Sequence, residues 1–155
     1  MRVFRIADSR HPVWSGEGAA QWGGRWNSPG RPVIYGSLTY ACALLEILVH
    51  SATGRVPKHH VCVVAEVPDD ISIRKLSEVD LPPGWDEADS PAARVVGDHW
   101  LGSADTAMLL VPSVVVRVEW EWNVLINPLH PDAPRISVTP GASVQWDGRL
   151  FASRS

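Results

Sequence analysis

The chain has 155 residues, is 45% hydrophobic, and sets 14 Lys+Arg against 17 Asp+Glu for a formal net charge of −3. The apolar share suits one globular domain over 1–155 with one sizeable core, and no basic run marks a nucleic-acid tail. Lys58 and Lys75 are the only lysines, so the cations are nearly all arginine, the residue for bidentate recognition of phosphate and carboxylate.

In chain order, Val3 to Ile6 reads as a first strand and Asp8 to Gln21, with Pro12, Gly16 and Gly18, as a loop. Gly23 to Gly30 continues as irregular structure, and Arg31 to Tyr35 reads as a strand. Ser37 is the expected N-cap of a helix over Leu38 to His50, with Gly54 ending that region. Val61 to Val67 reads as a strand buried on both faces, stopped by Pro68, and Ile71 to Leu76 as a weaker one. Leu81 to Trp85 is a turn, and Ser90-Pro91 opens a helix running to about Leu101. Ala104 to Leu109 fits a strand or a short turn, Leu110 to Glu119 a strong β-branched strand, and Trp122 to Asn127 another short one. Pro128, Pro131 and Pro134 make a rigid loop. Ile136 to Val138 and Val144 to Trp146 read as strands, Asp147-Gly148 as a turn, and Arg149-Leu150-Phe151 as a terminal strand. Many short strands with two or three helices predict a mixed α+β fold.

Cys42 and Cys62 sit in apolar runs and are expected to be reduced, buried thiols. The first eight residues hold no apolar signal core, and no segment reaches membrane-spanning length, so the expected location is cytoplasmic. His59, His60, Cys62 and His50 match no closed zinc spacing, and no metal is expected. Gly16-Glu17-Gly18 lacks the strand–helix setting of a dinucleotide fingerprint, and Ser113 lacks the elbow glycines of a hydrolase.

Chemistry concentrates elsewhere. Gly23-Gly24-Arg25-Trp26-Asn27 holds an arginine between glycines and a tryptophan, an anion clamp that a planar ligand can approach. Glu46 is the one charge in Ala41-Cys42-Ala43-Leu44-Leu45-Glu46-Ile47-Leu48-Val49, a carboxylate that needs a partner or a task. Tyr35 offers an aromatic face for a nicotinamide or base, and Ser113 a hydroxyl for a ligand or for Glu46. A fixed cation and an isolated carboxylate suit holding a diphosphate and stabilising a ribosyl cation.

These segments together resemble the RES domain family, the toxin half of bacterial Xre–RES toxin–antitoxin pairs. The resemblance runs through Phe4-Arg5, Gly18-Ala19, Gly23-Gly24-Arg25-Trp26-Asn27, Val33-Ile34-Tyr35 and Ala43-Leu44-Leu45-Glu46. It continues with Gly97-Asp98-His99-Trp100-Leu101, Val111-Pro112-Ser113-Val114-Val115, Asn127-Pro128-Leu129-His130-Pro131 and Trp146-Asp147-Gly148-Arg149-Leu150-Phe151. It implies mainly antiparallel strands with a few helices, as in the ADP-ribosyltransferase fold. It also implies Arg25, Glu46, Ser113 and Tyr35 as catalytic residues, with Trp26, Asn27 and Asn127 joining Arg25, Tyr35 and Ser113 around NAD. The implied activity is NAD destruction by hydrolysis or phosphorolysis, the alternatives being ADP-ribosyl transfer to a protein or a non-catalytic interaction module. The implied partners are an Xre-type antitoxin covering the active site and a second copy in a homodimer or toxin–antitoxin hetero-oligomer, with no direct nucleic-acid or membrane contact.

Overall fold

The computed structural model describes residues 1–51 and 55–151, so Gly54 lies outside the described residues. The elements are β1 (Arg2–Asp8), α1 (Glu17–Trp22), β2 (Ile34–Ser37), α2 (Tyr40–His50), β3 (His60–Glu66), β4 (Ile73–Lys75), α3 (Pro91–Ser103), β5 (Met108–Pro112), β6 (Trp122–Ile126), β7 (Ser137–Val138) and β8 (Ala142–Ser143). Short 3-10 turns cover Glu78–Asp80, Ala133–Arg135 and Gly148–Phe151. The fold is mixed α+β. One sheet runs β4-β5-β6-β2-β1-β3-β7, with β8 also on β3, and β4–β5 is its parallel pair among antiparallel ones.

The strand registers sort side chains by face. Tyr35 opposes Leu125, which opposes Leu109; Ser37 opposes both Phe4 and Asn123, and Asn123 opposes Val111. Side chains alternate along a strand, so these residues share one face, and Val3, Ile34, Val124, Ile126, Met108 and Leu110 share the other. The second face is sealed into a core with Ala65, Ile71 and Ile136. The first face carries two separate clusters. One lies with α3 and gathers Trp26, Trp85, Trp100, Leu109 and Leu125; the other lies with α2 and gathers Phe4, Ile6, Ala43, Cys62 and Val144. A cleft opens between them.

Several expectations are corrected. The predicted loop over Asp8 to Gln21 contains α1, whose start is closed by the Ala20 N–H on the Gly16 carbonyl. The strand placed at Arg31 begins only at Ile34, and Ser37 ends β2 rather than capping α2. Thr39 is the cap, its hydroxyl accepting the Cys42 N–H at 3.1 Å. The long strand over Leu110 to Glu119 stops at Pro112 because the Ser113 hydroxyl accepts the N–H groups of both Val115 (3.1 Å) and Val116 (2.8 Å). That turn overrides the β-branched propensity of the run. β3 is buried only in part, and its Glu66 end is exposed. The last strand pair forms at Ala142–Ser143, not at Val144 to Trp146. Arg149 to Phe151 forms a 3-10 turn instead of a strand, since the Asp147 carboxylate accepts the Arg149 N–H and the Asp147 carbonyl accepts that of Leu150.

Candidate functional site

The loop from Gly23 to Asn27 forms one wall. Gly23 adopts φ +74°, a left-handed setting that glycine tolerates, and its N–H closes α1 on the Ala19 carbonyl. Gly24 passes so close to Tyr35 that a Cβ there would lie 2.7 Å from the phenol oxygen. Asn27 is fully buried. Its amide donates to the carbonyls of Ala19 (2.8 Å), Arg31 (2.9 Å) and Ser28 (3.2 Å), and its Oδ1 accepts the Tyr35 hydroxyl at 2.7 Å. The Tyr35 oxygen in turn accepts the Trp26 N–H at 3.1 Å. Burial pushes the phenol well above its ordinary pKa, so the hydroxyl keeps its proton and serves as a structural donor.

Helix α3 docks this loop from behind. The Asp98 carboxylate accepts the Ser28 N–H (2.9 Å) and hydroxyl (2.5 Å). Gly97 lets the two backbones meet, since a Cβ would fall 1.8 Å from the Trp26 carbonyl oxygen. Trp26 stacks on Trp85 with centroids 6.2 Å apart. Arg25 reaches across this wall, and its Nη1 donates to the carbonyls of Trp85 (3.0 Å) and Glu87 (2.6 Å). Those bonds fix the guanidinium plane at the cleft edge.

Helix α2 forms the other wall. Glu46 turns inward, its side chain 20% exposed, while Leu45 and Val49 face solvent at 42% and 55%. The aliphatic run is therefore not uniformly buried, and the carboxylate faces the protein while two of its apolar neighbours do not. Glu46 Oε1 accepts the Ser113 hydroxyl at 2.9 Å and the Asn123 amide at 2.6 Å. Oε2 lies 3.8 Å from Nε2 of His50, one turn further along α2.

Arg25, Trp26, Asn27, Tyr35 and Glu46 all border a single cleft of about 790 Å³, and Ser113 joins it through Glu46. Asn127 does not border it. That side chain is 3% exposed and its Oδ1 accepts the Leu129 N–H at 3.0 Å, capping a turn beyond β6. The geometry gives Asn127 no route to a ligand in this cleft.

Two cleft residues, Arg5 and Asn123, are not among the site residues expected from the sequence. Arg5 lies on β1, where the β1–β2 ladder is reduced to the single pair Phe4–Ser37. Its Nη1 donates to the Tyr35 carbonyl at 2.7 Å and its Nε to the Val13 carbonyl at 2.5 Å. Burial lowers its pKa to about 10, so it stays charged at neutral pH, and no carboxylate pairs with it among the described residues. The cleft thus contains a desolvated cation that an anionic ligand would complete. Asn123, on β6, was hidden inside an apolar strand, where one polar residue in Trp122-Asn123-Val124-Leu125-Ile126 was the available signal. No group of three metal-ligating side chains occurs among the described residues.

The model of the RES domain matches residues 2–147. The chain belongs to the RES domain family. The RES chain is 42% identical over 142 residues to the "Prs ADP-ribosylating toxin" of Sphingobium sp. (strain YBL2), covering 88% of this chain and 86% of that protein. It is 35% identical to a "Toxin Res" of Yersinia enterocolitica, covering 97% and 99% of the two chains. Its fold matches that of a chain in the crystal structure of the M. tuberculosis MbcT–MbcA toxin–antitoxin complex, with a TM-score of 0.75 over 97% of this RES domain and 86% of that chain. Sequence identity there is 18%, so the likeness concerns the fold alone.

Proposed function

We propose that this chain is the toxin of a toxin–antitoxin pair and breaks the nicotinamide–ribose bond of NAD. The observation that carries the proposal is a carboxylate with one oxygen bonded to the protein, sharing a cleft with two arginines that have no acidic partner among the described residues. A dinucleotide's diphosphate supplies the negative charge that Arg5 and Arg25 call for, and the Tyr35 ring offers a wall for nicotinamide.

The chemistry asks little acid help. Nicotinamide leaves neutral, taking the electron pair of the C–N bond, and positive charge builds on the ribose. Glu46 stabilises that charge across a partly desolvated site, where a fixed carboxylate acts more strongly than in water. An oxygen of water or phosphate then bonds to the ribosyl carbon and releases its proton to solvent. Ser113 holds the carboxylate in place.

A second reading, transfer of ADP-ribose to a protein, has its own support. One relative is named as an ADP-ribosylating toxin at 42% identity, and Trp22 (78% exposed) and Val49 (55% exposed) leave an apolar cleft rim on which a protein acceptor would rest. The same rim suits an antitoxin that covers the cleft, as a toxin chain named in a toxin–antitoxin complex shares this fold. No helix among the described residues is long and apolar enough to cross a membrane.

Incubating the purified chain with NAD labelled in the adenosine half tests both readings. Label in free ADP-ribose or its phosphate supports NAD destruction, label on added protein supports transfer, and intact NAD in both cases rejects the enzyme reading. In the active protein, Arg25→Ala should raise KM about tenfold, the loss of one charge-assisted contact, with kcat nearly retained.

A further inference from the structure

The Glu46 carboxylate is held by a layer of side chains behind it. Ser113 is 1% exposed, and both N–H groups that its oxygen accepts are backbone donors, so its one proton goes to Oε1. Asn123 gives the second bond to the same oxygen, Nδ2 to Oε1 at 2.6 Å. The Asn123 Oδ1 accepts the hydroxyl of buried Ser37 at 2.9 Å and faces the thiol of buried Cys42 at 3.6 Å. Burial pushes the Cys42 thiol up, so it keeps its proton and can act as a donor.

These contacts admit one orientation of the amide. Turned over, its oxygen would lie 2.6 Å from a carboxylate oxygen that has no proton to give, whereas as placed its NH₂ donates to that oxygen and its Oδ1 accepts from Ser37 and Cys42. The hydrogen bonds therefore run in one direction, from Ser37 and Cys42 through the amide to Oε1. Oε2 receives nothing from this layer, and Nε2 of His50 lies 3.8 Å from it.

We propose that Asn123, locked by Ser37 and Cys42, is the positioning residue that pins Oε1 of Glu46 and leaves Oε2 to meet the ribose. This rests on the role given above to Glu46 in NAD cleavage. The pinning fixes the carboxylate rotamer before substrate arrives, so no reorganisation is needed as charge develops. It also divides the carboxylate into a holding oxygen and a working oxygen.

The test compares three variants by kcat, KM and melting temperature. Asn123→Ala should lower kcat about 100-fold and shift KM less than about threefold, as a lost bond to a charged group in the transition state would. Asn123→Asp keeps the shape but sets a carboxylate against Oε1, so it should be worse than Asn123→Ala by about another tenfold. A packing role predicts the opposite order, with the isosteric variant the milder. Ser37→Ala removes a donor to the amide without touching Glu46, and should lower kcat about fivefold, consistent with one neutral hydrogen bond.

A readout independent of turnover accompanies them. In the intact protein, one Nδ2 proton of Asn123 should appear downfield by NMR, exchange slowly, and move upfield in Glu46→Gln as the charge-assisted bond becomes neutral. If wild type leaves NAD intact yet shows that protected proton, the function is wrong and the positioning stands. If the proton exchanges at the solvent rate, or if Asn123→Ala turns over NAD like wild type, the positioning is overturned.

Discussion

On the α3 side of the cleft, Asn27 commits its oxygen to Tyr35 and its amide to three carbonyls, and Arg25 is tied to Trp85 and Glu87. On the α2 side, Glu46 commits one oxygen to Ser113 and Asn123 and keeps the other from them. The first wall resembles a piece of core, with a fully buried asparagine doing the work of secondary structure. The second leaves a charge available. Arg25 apart, whose replacement should act on binding, changes on the α3 wall should therefore register mainly as lost stability, and changes on the α2 wall as lost chemistry.

The largest effect expected is on turnover. Glu46→Gln retains an oxygen that can accept from Ser113 and Asn123, so the wall survives and only the charge goes. NAD turnover should fall about 1,000-fold or more, as when a site loses its main electrostatic stabiliser, while the melting temperature stays near wild type. A Glu46→Gln protein with wild-type turnover would break the contrast at once. Next comes Gly97→Ala. The added methyl meets a backbone carbonyl rather than a mobile side chain, so α3 and the Trp26 loop must part. The expected cost is about 2–3 kcal/mol in urea unfolding, the range of an overpacked interior. Tyr35→Phe follows at about 1–3 kcal/mol, because it strands the Asn27 Oδ1 and the Trp26 N–H without their shared hydroxyl. If Tyr35→Phe unfolds at the same denaturant concentration as wild type, the α3 wall is not the rigid element described.

The same contrast explains what was legible in advance. Glu46 stood out because a lone charge breaks an apolar helix, and Arg25 because glycines flank it. The structure brings both to one cleft, and the α+β class followed from many short apolar runs between Pro and Gly. Relations across strands were not legible. Asn123 matters because strand register sets it opposite Ser37 and the chain returns it beneath Glu46, 77 residues away in sequence. Arg5 matters because the β1–β2 ladder gives out beside it, and that interruption is not written locally. Ser113 shows the opposite failure. Its β-branched neighbours favour a strand, yet its hydroxyl captures two backbone donors and ends one. Asn127, drawn in with its neighbours by family likeness, caps a turn outside the cleft.

The smallest effect separates stability from chemistry at a residue on neither wall. His60 begins β3, opposite Asp8 of β1. Burial lowers its pKa; the Asp8 carboxylate opposes that shift, while Arg10 and His59 add to it. Its Nδ1 is buried without a hydrogen-bond partner among the described residues. The unfolded chain therefore binds this proton more readily than the folded one, and stability must rise with pH across the interval between the two pKa values. The loss begins as pH falls through the ordinary imidazole value of about 6.5 and levels off once the folded protein also takes up the proton. His60→Asn removes that contribution, so the melting-temperature gap between the variant and wild type should change between pH 7.5 and pH 5, to the detriment of wild type at the acid end. NAD turnover at pH 7.5 should stay the same in both, since His60 borders neither wall. A pH-independent gap would mean that the imidazole is no harder to protonate folded than unfolded; lost turnover would mean that the cleft draws on strands the two walls do not include.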